Sequence, residues 1–259
     1  MQISSAELTS WVGSFMWPFL RIGAMVMAAP LFGARSIPQR VRLGIALAVT
    51  MVVAPLLAPM PAVDPLSPSA LLIAAQQLLI GVAMGFAVQL VFSALITGGQ
   101  LVAMQMGLGF AAMVDPQNGT QVPVVSQFYL MMGTLLFLAL NGHLALITVL
   151  VESFRTMPVG VHGLTPADIW EIVRWSGLIF SGAVTIALPA LAALLIVNLA
   201  FGVMTRAAPQ LNIFAIGFPL TVLFGFVVVI FTLPSVLPQS SQLWTDTFQL
   251  LRHLTGGVP

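Results

Sequence analysis

Residues 70–97 read ALLIAAQQLLIGVAMGFAVQLVFSALIT, 28 consecutive positions without Asp, Glu, Lys, Arg or His. About 20 such residues, coiled as a helix, cross the roughly 30 Å hydrocarbon core of a bilayer. Only helices and closed barrels satisfy every backbone N–H and C=O in hydrocarbon, and this run is continuously apolar instead of alternating as barrel strands do. Five further stretches share its character, at about 11–32, 41–60, 127–151, 176–201 and 211–236. Pro-bearing segments such as Pro61-Ala-Val-Asp-Pro65, which cannot propagate a helix, bound the second and third. The fold class is therefore all-α: a polytopic integral membrane protein with about six long hydrophobic helical segments.

Composition excludes the alternatives. Of 259 residues 59% are hydrophobic and 6% charged, against roughly 25% charged in soluble domains, too few to clothe a globule in polar surface. Every basic residue is Arg and the net charge is +1, which leaves no electrostatic footprint for nucleic acid. Cys is absent, so disulfides, thiolate metal sites and a cysteine nucleophile are excluded. No Lys or Arg precedes the first stretch, so the basic region of a signal peptide is missing and the stretch is expected to stay in the mature protein. Arg35, Arg40, Arg42 and Arg206 fall on one side by alternation, and Arg155, Arg174 and Arg252 on the other. The four-to-three count places the Arg35 to Arg42 loop in the cytoplasm and the N-terminus outside.

Two connections are long. Residues 152–175 carry Glu152, Arg155, Asp168, Glu171 and Arg174. Within them, Thr165-Pro-Ala-Asp168 supplies a cap and a first-turn Pro for a short amphipathic interfacial helix on a water-facing rim. The other connection, 98–127, has one charge, Asp115, and a first half too apolar for water. Gly98, Gly99, Gly107 and Gly109, the Asp115-Pro116 step and the Asn118-Gly119 turn argue against one clean lipid-exposed helix. Irregular backbone at membrane depth must be buried in protein or line a cavity, so the segment is expected to fold back into the protein. Met104, Met106, Leu108, Phe110 and Met113 read either as ordinary packing residues or, with the glycines, as a soft apolar constriction that obstructs a conduit over 106–120.

Arg21 lies near the middle of the first stretch, where insertion of Arg costs about 2.5 to 3.5 kcal/mol. It must face protein, water or a partner, or snorkel to an interface if the span is displaced. No Asp or Glu lies in the first three stretches to pair with it, so its partner is expected to be an intersubunit carboxylate or carbonyl. His143, beside Asn141 and the weak helical position Gly142, reads as a satisfied buried or interfacial histidine, because a relay needs a chain of titrating groups. Asn198 reads as interhelical hydrogen-bonding glue.

Enzyme signatures are missing: there is no zinc H-E-x-x-H, G-x-S-x-G elbow, Walker A or G-x-G-x-x-G string, and no acid/base pair stands out. No cofactor or metal is expected. A small-solute secondary transporter would place interrupted helices in paired repeats, and only Ala28-Ala-Pro30 and Ala207-Ala-Pro209 hint at such symmetry.

Three strings occur together: Ala29-Pro-Leu-Phe-Gly33 followed by Ile37-Pro-Gln-Arg-Val-Arg-Leu-Gly44; Gly107-Leu-Gly-Phe-Ala-Ala-Met-Val-Asp-Pro116 with Gln121-Val-Pro123 and Ser126-Gln127; and Arg206-Ala-Ala-Pro-Gln-Leu-Asn-Ile-Phe-Ala-Ile-Gly-Phe-Pro219. Their order and spacing resemble the flagellar biosynthetic protein FliR family, export-gate subunits of type III secretion, along essentially the whole chain. The resemblance implies a non-catalytic subunit of the inner membrane at the flagellar basal body. It would join FliP and FliQ in a helical pore-forming complex, work with FlhB and FlhA, and pass unfolded flagellar proteins. The corresponding subunit of a virulence injectisome is the alternative within the same machinery.

The resemblance also implies one export-gate domain over 1–259, with the first three helices at 11–97, the plug-like loop at 98–127, helices four and five at 128–201 and a last hairpin and tail at 202–259. Some hydrophobic segments would be re-entrant or packed against sister subunits instead of lipid. The plug would comprise Met106, Gly107, Leu108, Gly109, Phe110, Met113, Asp115 and Pro116. Arg21, Pro30, Gly33, Arg206, Pro209, Gln210, Asn212 and Pro219 would serve as subunit-contact or structural positions, the Pro209-Gln-Leu-Asn212 turn forming an interhelical hairpin tip at the cytoplasmic mouth.

Overall fold

The computed structural model describes residues 5–33, 37–61, 63–64, 67–109, 123–207 and 217–256. Among them every regular element is helical: α1 Ser5–Ala28, α2 Pro30–Gly33, α3 Gln39–Val53 with a 3₁₀ turn at Ala54–Leu56, α4 Pro68–Gln105, α5 Val124–Ala139, α6 Gly142–Thr156, α7 Pro166–Trp175, α8 Leu178–Ala207 and α9 Phe218–Leu254. Among the described residues, four segments are long and apolar enough to cross a membrane: Gln39–Leu56, Pro68–Gln105, Pro166–Ala207 and Phe218–Leu254. A fifth is reached only if α5 and α6 count as one broken span.

The described parts of the six apolar stretches are largely helical, with revised ends; the second leaves its helix after Leu56. The third continues through Gly98 and Gly99 to Gln105, making α4 a 38-residue helix about 57 Å long at 1.5 Å per residue. These glycines mark close approach and do not break the helix. A β-carbon at Gly99 would lie 2.6 Å from Ser126 Cα, and one at Gly98 3.1 Å from the Ala183 carbonyl oxygen. The fourth stretch is interrupted at Leu140–Asn141, where Asn141 takes a left-handed φ of 55°. Asn tolerates that conformation through its short polar side chain, which is why the break falls beside the weak Gly142 position. The sixth runs past Pro234 and Pro238 to Leu254. Helix α1 stops at the first Ala of Ala28-Ala-Pro30, because the residue before Pro is pushed out of the α region.

The chain divides into two compact units: one of 1–90, 141–176 and 245–259, and another of 91–140 and 177–244. In the first, α1 packs on α2 and α3, and Gly81 and Gly85 of α4 receive Ala24 and Ala28 of α1. A β-carbon at Gly85 would stand 2.6 Å from Ala28 Cβ and 2.8 Å from the Ala29 nitrogen. This spacing of four between small residues lets two membrane helices meet at backbone distance. Trp17, Ala70 and Ile73 form one cluster, and Ile172 with Leu250 and Leu254 seats α7 on the end of α9. Thr165 and Asp168 form the reciprocal capping box at the start of α7, with Pro166 as its first residue.

The core of the second unit is aromatic. The Phe92, Phe137 and Trp244 rings meet with centroids 4.8 to 5.8 Å apart in edge and tilted geometry, the arrangement ring quadrupoles favour. The outer faces of α8 and α9 stay bare and apolar. Leu195, Ile196 and Leu199, and Leu223, Ile230 and Phe231, are all exposed. In the apolar windows of these helices only 22% and 17% of positions are buried, against 61% for α4, so α4 is the covered helix while α8 and α9 offer surface to lipid or to another protein.

Candidate functional site

The plug expected after the third helix is rooted in a helix end. Gly107 N–H bonds to the Met104 carbonyl and Leu108 N–H to the Ala103 carbonyl, each at 3.0 Å, closing α4 in a Schellman cap. The cap requires a left-handed residue, and Gly107 supplies it with φ +83°. Asn198 of α8 donates its Nδ2 to the Gln105 carbonyl at 3.2 Å, so a carbonyl of the last turn is satisfied from another helix. Met106 is fully buried and fills the space beside Gly225 of α9. A β-carbon at 225 would stand 2.6 Å from both Met106 Cγ and Cε. The Phe218 ring flanks Gly107, 3.4 Å from where a β-carbon there would stand.

Of the expected plug residues, Met106, Gly107, Leu108 and Gly109 come together in this turn, whereas Phe110, Met113, Asp115 and Pro116 lie outside the described residues. Gln105 carries α4 into the turn and Asn198 holds it, which gives the interhelical bond expected of Asn198 a specific acceptor. Sequence reasoning did not find Gly225 or Phe218. Gly225, isolated in an otherwise bulky run (Leu223-Phe-Gly-Phe226), was the available signal.

Arg21 forms a second polar centre, within the first unit. Its guanidinium is inaccessible to solvent. Nε donates to Gln77 Oε1 at 2.8 Å, Nη1 to the Ser153 carbonyl at 2.9 Å and its hydroxyl at 3.0 Å, and Nη2 to the Met157 carbonyl at 3.0 Å. The Phe154 ring stacks under it with its centroid 4.2 Å from Cζ. Each of these contacts is within the chain and none is a carboxylate, so the intersubunit partner expected for Arg21 is not needed. The Ser153 and Met157 carbonyls belong to the C-terminal end of α6, where the helix dipole is negative, and that end takes the place of a counter-ion. The signal missed in the sequence was Gln77-x-x-x-Gly81-x-x-x-Gly85, one stripe of α4 that presents an amide next to a small-residue contact.

The remaining positions are helix punctuation. Pro30 opens α2, which includes Gly33, Arg206 lies in the last turn of α8, and Pro219 is the second residue of α9. Pro209, Gln210 and Asn212 lie outside the described residues. His143 Nδ1 is buried without a hydrogen-bond partner among the described residues, so this nitrogen is not satisfied as expected. Among the described residues no group of three or more His, Asp or Glu side chains could hold a metal.

A family model described as bacterial export proteins, family 1, matches residues 12–247. The chain is 40% identical over 259 residues to flagellar biosynthetic protein FliR of Escherichia coli (strain K12), a match covering 100% of this chain and 99% of that protein. It is 38% identical over 254 residues to FliR of Pectobacterium carotovorum subsp. carotovorum, covering 98% and 97%. With FliR of Aquifex aeolicus (strain VF5) the identity is 32% over 235 residues, covering 91% of each.

Proposed function

The chain belongs to the FliR family of bacterial export proteins, and from that premise we propose that it is a non-catalytic gating subunit whose segment 106–116 plugs the export channel. Its setting follows from the family and from the apolar helices: it is a component of the flagellar export apparatus in the inner membrane. It assembles with FliP and FliQ into a helical pore, beside FlhB and FlhA, through which unfolded flagellar proteins pass.

One observation carries the plug. The apolar, glycine-bearing stretch leaves α4 through a capped turn at Gly107 whose preceding side chain, Met106, is anchored in the protein. A segment that must seal and later yield needs a fixed root and a soft body, and Met, Gly and Phe supply the softness. The bare faces of α8 and α9 support assembly, because an apolar helix face can be covered by a sister subunit as readily as by lipid. Gln210 and Asn212 are assigned to a subunit contact at the cytoplasmic mouth, testable by site-specific cross-linking that captures a gate subunit instead of lipid alone.

The deciding experiment deletes residues within 108–116 in cells that produce FliP and FliQ, then measures ion leak across the inner membrane together with flagellar protein export. The deletion is expected to raise the leak while leaving FliP and FliQ co-purification intact. A complex that stays assembled and ion-tight would refute the plug.

A further inference from the structure

We infer that the middle of α9 docks a partner helix bearing hydroxyl or amide donors, which bond the two carbonyls that Pro234 and Pro238 leave without their helical partner. The inference rests on the assembly reading and names the chemistry that covers one stretch of the bare α9 face. Proline has no N–H, so the Ile230 carbonyl loses its donor at 234 and the Pro234 carbonyl its donor at 238. The neighbouring hydroxyls do not replace them. Thr232 Oγ1 donates to the Val228 carbonyl at 2.8 Å, with that of Val229 at 3.3 Å, and Ser235 Oγ donates to the Thr232 carbonyl at 2.6 Å. A helical carbonyl lies between its own side chain and the one four residues on. Ile230, Pro234 and Pro238 are all exposed, so both acceptors open on one outer face, which Val227, Phe231 and Leu237 share.

Lipid is the wrong cover for such a face, because hydrocarbon has no donor for an unpaired carbonyl. A purely apolar protein surface would leave both acceptors equally unpaired. Two acceptors four residues apart sit about 6 Å apart along the helix axis. That is the repeat of Ser, Thr, Asn or Gln side chains at i and i+4 on a second helix, which can hydrogen-bond across an otherwise apolar contact. The prolines thus give a greasy face two fixed polar marks, and a partner helix is selected by where its donors fall.

The test caps these carbonyls from within α9 in two ways. Pro234→Ala with Pro238→Ala restores the backbone donors, whereas Leu237→Thr keeps both prolines and offers a hydroxyl three residues after Pro234. Leu237→Val matches the shape of Thr without the hydroxyl. Each full-length variant is co-produced with FliP and FliQ and purified in mild detergent, and the thermal midpoint of the chain produced alone is measured beside it. The double Ala variant is expected to raise that midpoint, because it mends the helix, yet to lower FliP and FliQ recovery several-fold. Leu237→Thr should lower recovery as well, and Leu237→Val should leave it unchanged. Equal recovery for Thr and Val, or undiminished recovery for the double Ala variant, would overturn the donor assignment. Loss of FliP and FliQ from the unsubstituted chain would instead remove the assembly reading. A photoreactive phenylalanine analogue at position 231 gives a readout independent of these variants. Adducts with a membrane subunit are expected from it, and adducts with lipid alone count against the docking.

Discussion

Arg21 and Ser153 meet twice: one guanidinium nitrogen reaches both the backbone carbonyl and the hydroxyl of Ser153, at 2.9 and 3.0 Å. The hydroxyl in turn donates to the Leu150 carbonyl at 2.6 Å, so it accepts from Arg21 with its proton already committed. The planar fork also spans Gln77 and Met157, three directions that a lysine ammonium on a shorter reach cannot serve at once. Hydrogen bonds to a charged group are worth about 1.5–3 kcal/mol each when buried. Arg21→Lys, which forfeits at least one of them and leaves its partner unpaired, is expected to destabilise the protein by on the order of 3 kcal/mol. Thermal unfolding of the purified protein in mild detergent measures this, and an unshifted midpoint would show that the bonds carry no net stability.

Glycines in the α-helices fall into two kinds with opposite expectations. At Gly85 a β-carbon would meet Ala28 Cβ at 2.6 Å and the Ala29 nitrogen at 2.8 Å. The second contact is backbone, which cannot step aside, so Gly85→Ala is expected to cost about 1–3 kcal/mol as overpacking. Gly202 of α8 has nothing within 4 Å, and there Ala should gain up to about 1 kcal/mol in helix propensity. Comparing the two unfolding midpoints decides it, and a loss of similar size at both positions would contradict the packing account.

The contrast explains what the sequence could reveal. Long apolar runs need no partner to be read, so the helices were legible from 70–97 outward, as was the capping box, whose Thr165, Pro166 and Asp168 lie within four positions. Contacts between distant residues were not. Gly98 and Gly99 read as helix breakers because their sequence neighbours do not include Ala183 or Ser126, against which they pack. Arg21 demanded a partner in the sequence, yet the acceptors are an amide 56 positions away and carbonyls more than 130 away, and carbonyls carry no sequence signature. At the turn that ends α4, composition marked Met106 and Gly107, and Gly225 stood out in its bulky run, but that Met106 fills the space at Gly225 needed α9 placed beside α4.

The start of α7 offers a local test. Thr165 Oγ1 accepts from the Asp168 N–H at 3.3 Å, and the Asp168 carboxylate accepts from the Thr165 N–H at 2.7 Å. Thr165→Ala removes the cap oxygen and should cost about 1 kcal/mol, concentrated in the first turn because an end cap acts locally. Hydrogen exchange of the amides of residues 167–170 is expected to accelerate about fivefold while α4 is unaffected. Uniform acceleration, or none, would mean that the packing of Ile172 on Leu250 and Leu254 fixes the helix without help from its cap.

Trp244 separates shape from polarity in the aromatic core of the second unit. Its ring is nearly inaccessible and lies 5.0 Å from the Phe92 centroid and 4.8 Å from that of Phe137, while its Nε1 has no hydrogen-bond partner among the described residues. Trp244→Ala empties a packed site and is expected to cost about 3–5 kcal/mol. Trp244→Phe keeps an aromatic face for both neighbours and removes a buried donor that makes no bond. Relief of that donor, of order 1–3 kcal/mol, offsets much of the lost ring area. Phe is therefore expected to be tolerated with a loss of about 1 kcal/mol or less, and unfolding midpoints of the two variants read the difference. Equal losses for Phe and Ala would mean that the indole N–H is bonded after all, and that the core is held by polarity as well as by ring packing.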